Sequence, residues 1–168
     1  MDEAGYVNKR QGDRGDRDEK DFVLFTLLCQ ARDALAKARH RELRPVGINM
    51  MQAAVLYIVR AIGEPASPAE ISRWLFREPN TVFVLVNRMV AQGLLDKKRD
   101  SNNRHLARVS LTEKGEQALK EARARRDKIS SIMSCLSQEE RAFLEETLER
   151  LRNRGLEELG MDRPLPYP

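Results

Sequence analysis

Apolar residues recur with a helical period along most of this 168-residue chain. Leu24 and Leu28 lie four residues apart near one end, and Leu144 and Leu148 repeat this spacing near the other. At about 100° per residue, such positions form one face of a helix. The spacing predicts four long helices, over about residues 21–42, 49–63, 113–134 and 138–159.

Between the second and third of these helices the pattern changes to two short helices and a hairpin. Ser67 and Glu70 have the spacing of a capping box, so a short helix begins there. It stops near Pro79, where another helix starts and runs to Gly93. Residues 94–111 then give a basic stretch, a polar tip and a clear apolar–polar alternation, which predicts a β-hairpin. This order is typical of a winged helix-turn-helix, a mainly α fold with a small β-wing.

The second short helix has two different faces. Its apolar side, which must pack inward, carries Val82, Leu85, Val86, Met89 and Val90. The opposite side carries Asn80, Val84 and Asn87, flanked by Phe83 and Arg88. A helix with a free outer face, supported by a preceding short helix, fits the major groove of DNA. The alternative is a helical hairpin in an ordinary core, which would leave the basic hairpin unexplained.

The hairpin supplies positive charge beside this helix. Lys97, Lys98, Arg99 and Arg108 are placed for phosphates, which set affinity rather than sequence preference. Arg104 at the tip can enter a narrow minor groove, where the negative potential attracts arginine. The predicted DNA-contacting residues are Asn80, Thr81, Phe83, Val84, Asn87, Arg88, Lys97, Lys98, Arg99, Arg104, His105 and Arg108.

This region resembles the MarR family of transcriptional regulators. The matching stretches are residues 79–82, 87–89 and 93–95, a wing similar to the family's Asp-x-x-Asp-Arg pattern, and its exit over 109–115. The resemblance covers residues 22 to about 159. It implies a homodimer that binds DNA and, in many members, a small anionic or phenolic effector.

Two departures from the family pattern concern the DNA contacts. Asn103 stands where the family has its second wing aspartate. Either Asp100 supplies the carboxylate that orients Arg104, or no carboxylate does so. Phe83 and Val84 stand where the family often has a serine and an arginine. Their side chains cannot hydrogen-bond guanine, although they can touch thymine methyl groups.

The helices at the two ends of the chain carry more apolar surface than a small winged lobe can cover. Two copies that pack these helices together would bury it, so we expect an obligate symmetric homodimer. The MarR resemblance implies the same arrangement. With six helices, the predicted organisation is a flexible charged tail over 1–20, dimerisation helix 1 over 21–48, the winged DNA-binding lobe over 49–112, dimerisation helices 5 and 6 over 113–160 and a proline-rich tail over 161–168.

Composition and charge indicate where in the cell the protein is expected. Hydrophobic residues make up 41% of the chain and the formal net charge is +4. Basic residues concentrate between Arg73 and Lys128, whereas glutamates crowd the last helix, which predicts one positive face. No segment is apolar for long enough to span a membrane, and residues 1–21 lack the apolar core of a signal peptide. We therefore expect a cytoplasmic protein with no membrane partner.

Cys29 and Cys135 are the chain's two cysteines. Some MarR relatives that sense organic hydroperoxides use a cysteine in the first helix, with a second one near the fifth, and the positions here are similar. A structural role as small hydrophobes is the favoured interpretation. His40 and His105 are far apart and no cluster has metal-ligand spacing, so we expect neither a metal nor another cofactor. We also expect no enzymatic activity, since no nucleophile is paired with a base.

The predicted function is that of a homodimeric transcriptional regulator which binds double-stranded DNA sequence-specifically. A repressor on a near-palindromic operator, released by a small ligand, is the main hypothesis. Two alternatives stay open. One is a protein-interaction module that keeps the fold with weak DNA readout, which Phe83 and Val84 favour. The other is a redox-sensing regulator that uses Cys29 and Cys135.

Overall fold

The computed structural model describes residues 3–63, 65–100 and 107–161, with side chains from residue 15 onward. The elements are α1 (Glu3–Leu43), α2 (Met50–Ile62), α3 (Pro68–Leu75), α4 (Pro79–Ala91), β1 (Leu95–Arg99), β2 (Ala107–Leu111), α5 (Glu113–Ala124), α6 (Asp127–Met133) and α7 (Gln138–Glu158). The two strands pair antiparallel, with Leu95 opposite Leu111 and Arg99 opposite Ala107. The prediction of a mainly α fold with a small β-wing is confirmed.

One hydrophobic core unites α2, α3, α4 and the wing. Its fully buried side chains include Val55, Leu56, Ile58 and Val59 from α2, Ile71 from α3 and Val109 from β2. From α4, Val82, Val86 and Met89 are buried, and Leu85 and Val90 pack against the same core. The predicted inward face of α4 is therefore confirmed.

Helix α5 also belongs to this core. Ala118, Leu119 and Ala122 are buried in it, because the apolar side of α5 packs against α2 and the wing. The sequence instead assigns α5 to a separate dimerisation segment over 113–160. The prediction missed this packing because an apolar helical face does not reveal which element covers it.

The capping boxes predicted for α2 and α3 are both present. The Asn49 side chain accepts a hydrogen bond from the Gln52 backbone N–H at 2.9 Å, and the Gln52 side chain accepts one from the Asn49 N–H at 2.8 Å. Ser67 and Glu70 exchange the same pair of bonds at 3.2 and 2.7 Å. Each box gives partners to backbone donors that a helix start otherwise leaves without one. These local bonds set where the helices begin.

Helix α1 is longer than predicted. It begins at Glu3, whereas the sequence predicts a flexible tail over residues 1–20 and a helix only from Asp21. Acidic and basic residues alternate in this segment, and Lys20 and Asp16 form an ion pair at helical i,i+4 spacing. Such pairs support a solvated helix without any apolar face. The periodicity of apolar residues could not detect it.

The predicted fifth helix is divided in two. The chain breaks between Ala124 and Asp127, so the described residues contain seven α-helices rather than six. Arg39 donates hydrogen bonds to the carbonyl groups of Ala122, at 2.7 Å, and Arg125. Glu42 accepts from the backbone N–H groups of residues 128 and 129, in the first turn of α6. Two side chains of α1 thus satisfy both helix ends at the break.

The chain divides into two compact units, with the boundary between Ala38 and Arg39. The second unit contains the winged core and everything described after it. Among the described residues, no single helix is both long and apolar enough to cross a membrane. A bent pair, Gly15–Val46 with Met50–Ile62, passes that test only jointly, and Met50–Ile62 supplies the core residues of α2.

Candidate nucleic-acid interface

The outer face of α4 is open to solvent. Val84 is 56% exposed and Phe83 is 48% exposed. The remaining predicted contact residues of α4 are exposed as well, namely Asn80, Thr81, Asn87 and Arg88. The buried residues on the opposite side fix the rotation of the helix, so this face points to solvent. The predicted orientation is confirmed, and the contact with DNA stays a prediction.

Lys97 of β1 connects the wing to this face. Its Nζ donates a hydrogen bond to Asn87 Oδ1 at 2.9 Å and lies 4.3 Å from the centre of the Phe83 ring. A cation over an aromatic face is held by the ring's negative potential. The sequence suggested Lys97 only as a phosphate ligand. Its contacts were not predictable because they depend on how β1 packs beside α4.

Two further basic residues of β1 remain accessible. Lys98 and Arg99 are exposed, and the Lys98 Nζ lies 3.1 Å from Asp96. A solvent-exposed pair of this kind contributes roughly 0–1 kcal/mol. It therefore does not prevent Lys98 from turning to a phosphate group. Phosphate binding by Lys98 and Arg99 stays a prediction.

Arg108 of β2 has a different environment from the one expected. Its Nε donates to Asp100 Oδ2 at 2.6 Å, and its NH1 lies 3.9 Å from Glu70 Oε2. The hydrogen bond with Asp100 raises the pKa of Arg108. This guanidinium joins the wing to the first turn of α3, and its contact with a phosphate stays a prediction.

Glu70 stays ionised in this arrangement. The Ser67 hydroxyl donates to its carboxylate at 2.7 Å and lowers the pKa of Glu70, while partial burial acts in the opposite direction. The Ser67 backbone N–H and the charges of Arg108 and Arg73 lower it further. A charged carboxylate at the start of α3 is also favoured by the helix dipole. The wing is thus connected to the helix that supports α4.

Several predicted site residues cannot be placed. Arg104 and His105 lie outside the described residues, as does Asn103.

Cys29 on α1 is partly buried and Cys135, just after α6, is exposed. Both are free thiols, and their redox role stays a prediction.

Comparisons with known proteins agree with this geometry. Residues 48–115 match a family model described as a winged helix DNA-binding domain. MarR from E. coli, crystallised as a cysteine variant with operator DNA, superposes with a TM-score of 0.74 at 20% identity, over 79% of this chain and 95% of that chain. The chain has the MarR fold. The resemblance to MarR-family regulators that the sequence indicates is therefore confirmed for the fold.

Two other solved structures extend the comparison for this MarR-fold protein. The organohalide-sensing transcriptional regulator RdhR, bound to 2,4-dichlorophenol, has a TM-score of 0.76 and 27% identity over 81% of each chain. The transcriptional repressor CouR on a 23-mer DNA duplex has a TM-score of 0.74 and 20% identity, over 80% of this chain and 95% of that chain. No curated protein is significantly similar to this chain in sequence.

Proposed function

We propose that this MarR-fold protein is a transcriptional regulator that binds double-stranded DNA sequence-specifically as a homodimer. The observation that carries the proposal is the solvent-exposed face of α4 beside Lys97, Lys98 and Arg99 of the wing. A short exposed helix suits the major groove, and basic side chains beside it suit the phosphates. Crystals of MarR and CouR with DNA support this assignment.

The dimer is supported by apolar surface on α1 and, separately, on α7. Between Phe22 and Leu28 every apolar residue of α1 is exposed, and Phe22 itself is 69% exposed. On α7, Phe143 is 66% exposed. A helix that is apolar around its circumference needs to be covered, and a second copy supplies a matching surface. Two α4 helices related by two-fold symmetry would meet successive major grooves, about 34 Å apart, on a near-palindromic operator.

Repression and release complete the proposed mechanism. A dimer on its operator blocks access of the polymerase to the promoter. A small ligand that changes the spacing of the two winged lobes prevents both from binding at once, and so releases DNA. The crystals of RdhR with 2,4-dichlorophenol and of CouR with p-coumaroyl-CoA support an effector with an aromatic ring.

Salt dependence tests the DNA-binding proposal. A duplex selected from a random-sequence library should bind less tightly as salt rises, because phosphate contacts release counterions. Lys98→Met and Arg99→Met should each lower the slope of log K against log[salt] by about 1 and leave the preferred sequence unchanged. Fluorescence anisotropy titrations at several salt concentrations measure this slope.

Arg154→Met is the matched control for these two variants. Arg154 lies on α7, where it pairs with Glu157 and Glu158, so its loss should not change the slope. If the library yields no preferred sequence and the binding is weak and independent of salt, the DNA-binding proposal is wrong. That result would favour the protein-interaction module.

A charge placed on the apolar surface of α1 tests the dimer. Leu27→Arg should convert the dimer into a monomer at micromolar concentration, because a buried unpaired charge is strongly unfavourable. Gln117→Arg, at an exposed polar position of α5, should leave the dimer intact. Light scattering coupled to size exclusion gives both masses. A monomeric parent protein, or a dimeric Leu27→Arg variant, would contradict the proposed interface.

A further inference from the structure

We propose that the outer face of α4 selects thymine, through its C5-methyl group and its O4 atom. Val84 and Phe83 would contact the methyl group, and Asn87 would donate to O4. Lys97 would act as the positioning residue that orients the Asn87 amide nitrogen toward the base. The inference rests on the proposed DNA-binding function and specifies what that site reads.

The first step concerns the two apolar side chains. Val84 is exposed at the centre of the face that would enter the groove, and Phe83 is exposed at its edge. Among the base edges of the major groove, only thymine presents an apolar group, its C5-methyl. Placing hydrocarbon against the polar edge of guanine or cytosine would bury acceptors or donors without partners, which is unfavourable. An apolar contact here therefore discriminates between bases.

The second step concerns the orientation of the Asn87 amide. Lys97 Nζ can only donate, so the atom of Asn87 that lies 2.9 Å from it must be the oxygen. The amide nitrogen then remains as a donor for a base. The usual bidentate contact of asparagine with adenine needs the oxygen to accept from adenine N6. That bond uses one of the two lone pairs of the Asn87 oxygen, and the ammonium charge beside the oxygen disfavours the approach of a second donor such as adenine N6. Asn87 therefore favours acceptors such as thymine O4.

The third step is that these groups are neighbours on one helix. Val84 and Asn87 are three residues apart, and Phe83 and Asn87 four apart, so their side chains lie side by side. Thymine O4 and its C5-methyl are likewise adjacent on one base edge. A donor beside an apolar surface is complementary to an acceptor beside a methyl group.

Two features of the structure favour the hydrogen bond between Lys97 and Asn87, one at the ammonium group of Lys97 and one at its backbone. The Phe83 ring lies 4.3 Å from the ammonium group, which draws it toward α4. In the sheet, Lys97 is opposite Val109, which is fully buried in the core. The backbone from which Lys97 extends is therefore fixed relative to α4. The Lys97–Asn87 hydrogen bond is exposed, and both the Phe83 ring and the strand position of Lys97 favour it.

Deoxyuridine tests the methyl contact, since it keeps the O4 atom and the base pairing of thymidine but lacks the methyl. A duplex selected from a random-sequence library is resynthesised with each thymidine replaced in turn. Replacement of a contacted thymidine should weaken binding about fourfold, which corresponds to about 0.8 kcal/mol for one buried carbon group. Val84→Ala should bring the ratio of the two affinities toward one. Equal affinity of the parent protein for every substituted duplex would overturn the inference.

Lys97→Met tests the positioning role. This variant removes the positive charge beside the Asn87 oxygen and leaves the amide free to turn, so selection from the same library should raise the share of adenine at the position read by Asn87. Lys98→Met loses the same charge from an adjacent position and should keep thymine there. An unchanged preference in Lys97→Met would overturn the positioning role.

The two levels of the proposal fail differently. Sequence-specific, salt-dependent binding that ignores the methyl group contradicts the thymine inference alone. Absence of any preferred duplex contradicts the proposed function and this inference with it.

Discussion

Gly115→Ala should destabilise the winged lobe by about 3 kcal/mol, at the upper end of the range for overpacked sites. A Cβ at position 115 would stand 2.1 Å from the carbonyl oxygen of Leu94 and 3.2 Å from its carbonyl carbon. That carbonyl is part of the backbone and cannot turn away as a side chain would. It also accepts the N–H of Thr112 at 3.3 Å, while the Leu94 N–H donates to Met89 at 2.9 Å.

The chain provides a matched control in Gly155. Gly155 lies within α7, and a Cβ added there meets open space. Gly155→Ala should therefore stabilise the protein by about 0.5–1 kcal/mol, since alanine is the better helix former. Urea unfolding at one fixed protein concentration measures both changes. A Gly115→Ala protein as stable as its parent would show that α5 can move away from Leu94.

Gly115 also matters for the DNA-binding proposal. The Leu94–Thr112 contact joins the end of the α4–β1 connection to the start of α5, and Thr112 caps α5 by accepting from the Gly115 N–H at 3.0 Å. A shift of α5 would therefore change the support of α4. We expect the Gly115→Ala variant to bind DNA more weakly than the parent protein, in proportion to the fraction of its molecules that remain folded.

The parts of the fold that the sequence predicted depend on residues close together in the chain. The capping boxes at Asn49 and Ser67 each involve residues three apart, and the rotation of α4 follows from the spacing of Val82, Val86 and Met89. Such features follow from local geometry and from the need to bury apolar groups. For the same reason, the exposed face of α4 was predictable before any tertiary contact was known.

The features that the sequence did not predict depend on distant partners. The break after α5 is held by Arg39, which is 83 residues from Ala122. No local pattern distinguishes a helix that breaks at such a point from one that continues. The contacts of Lys97 with Asn87 and of Arg108 with Asp100 likewise depend on packing between elements. Charge predicted phosphate binding for both cations, which stays a prediction, and the structure adds the partner that each contacts within the chain.

Glu42→Gln should lower the free energy of unfolding by about 2 kcal/mol at neutral pH. The Glu42 side chain is only 4% exposed, and it pairs with Arg39 at 3.1 Å while accepting the Lys128 N–H at 2.6 Å. Removing one member of a buried ion pair typically costs about 3–5 kcal/mol, and glutamine retains one acceptor, so the loss is smaller. The matched control is Glu116→Gln, where an exposed pair with Arg60 should contribute less than about 1 kcal/mol.

The pH dependence of stability separates the Glu42 charge from a simple packing effect. Burial alone would raise the pKa of Glu42, but hydrogen bonds from Arg39 and from the backbone of Lys128 and Ile129 outweigh it and hold the pKa below its ordinary value of 4.5. A lowered native pKa gives stability that is present above the ordinary value and is lost as pH falls through the native value. The difference between the parent and Glu42→Gln should therefore be largest above about pH 5 and shrink below pH 4.5. A difference that stays constant down to pH 3 would mean that shape at the α5–α6 break, rather than the carboxylate charge, stabilises it.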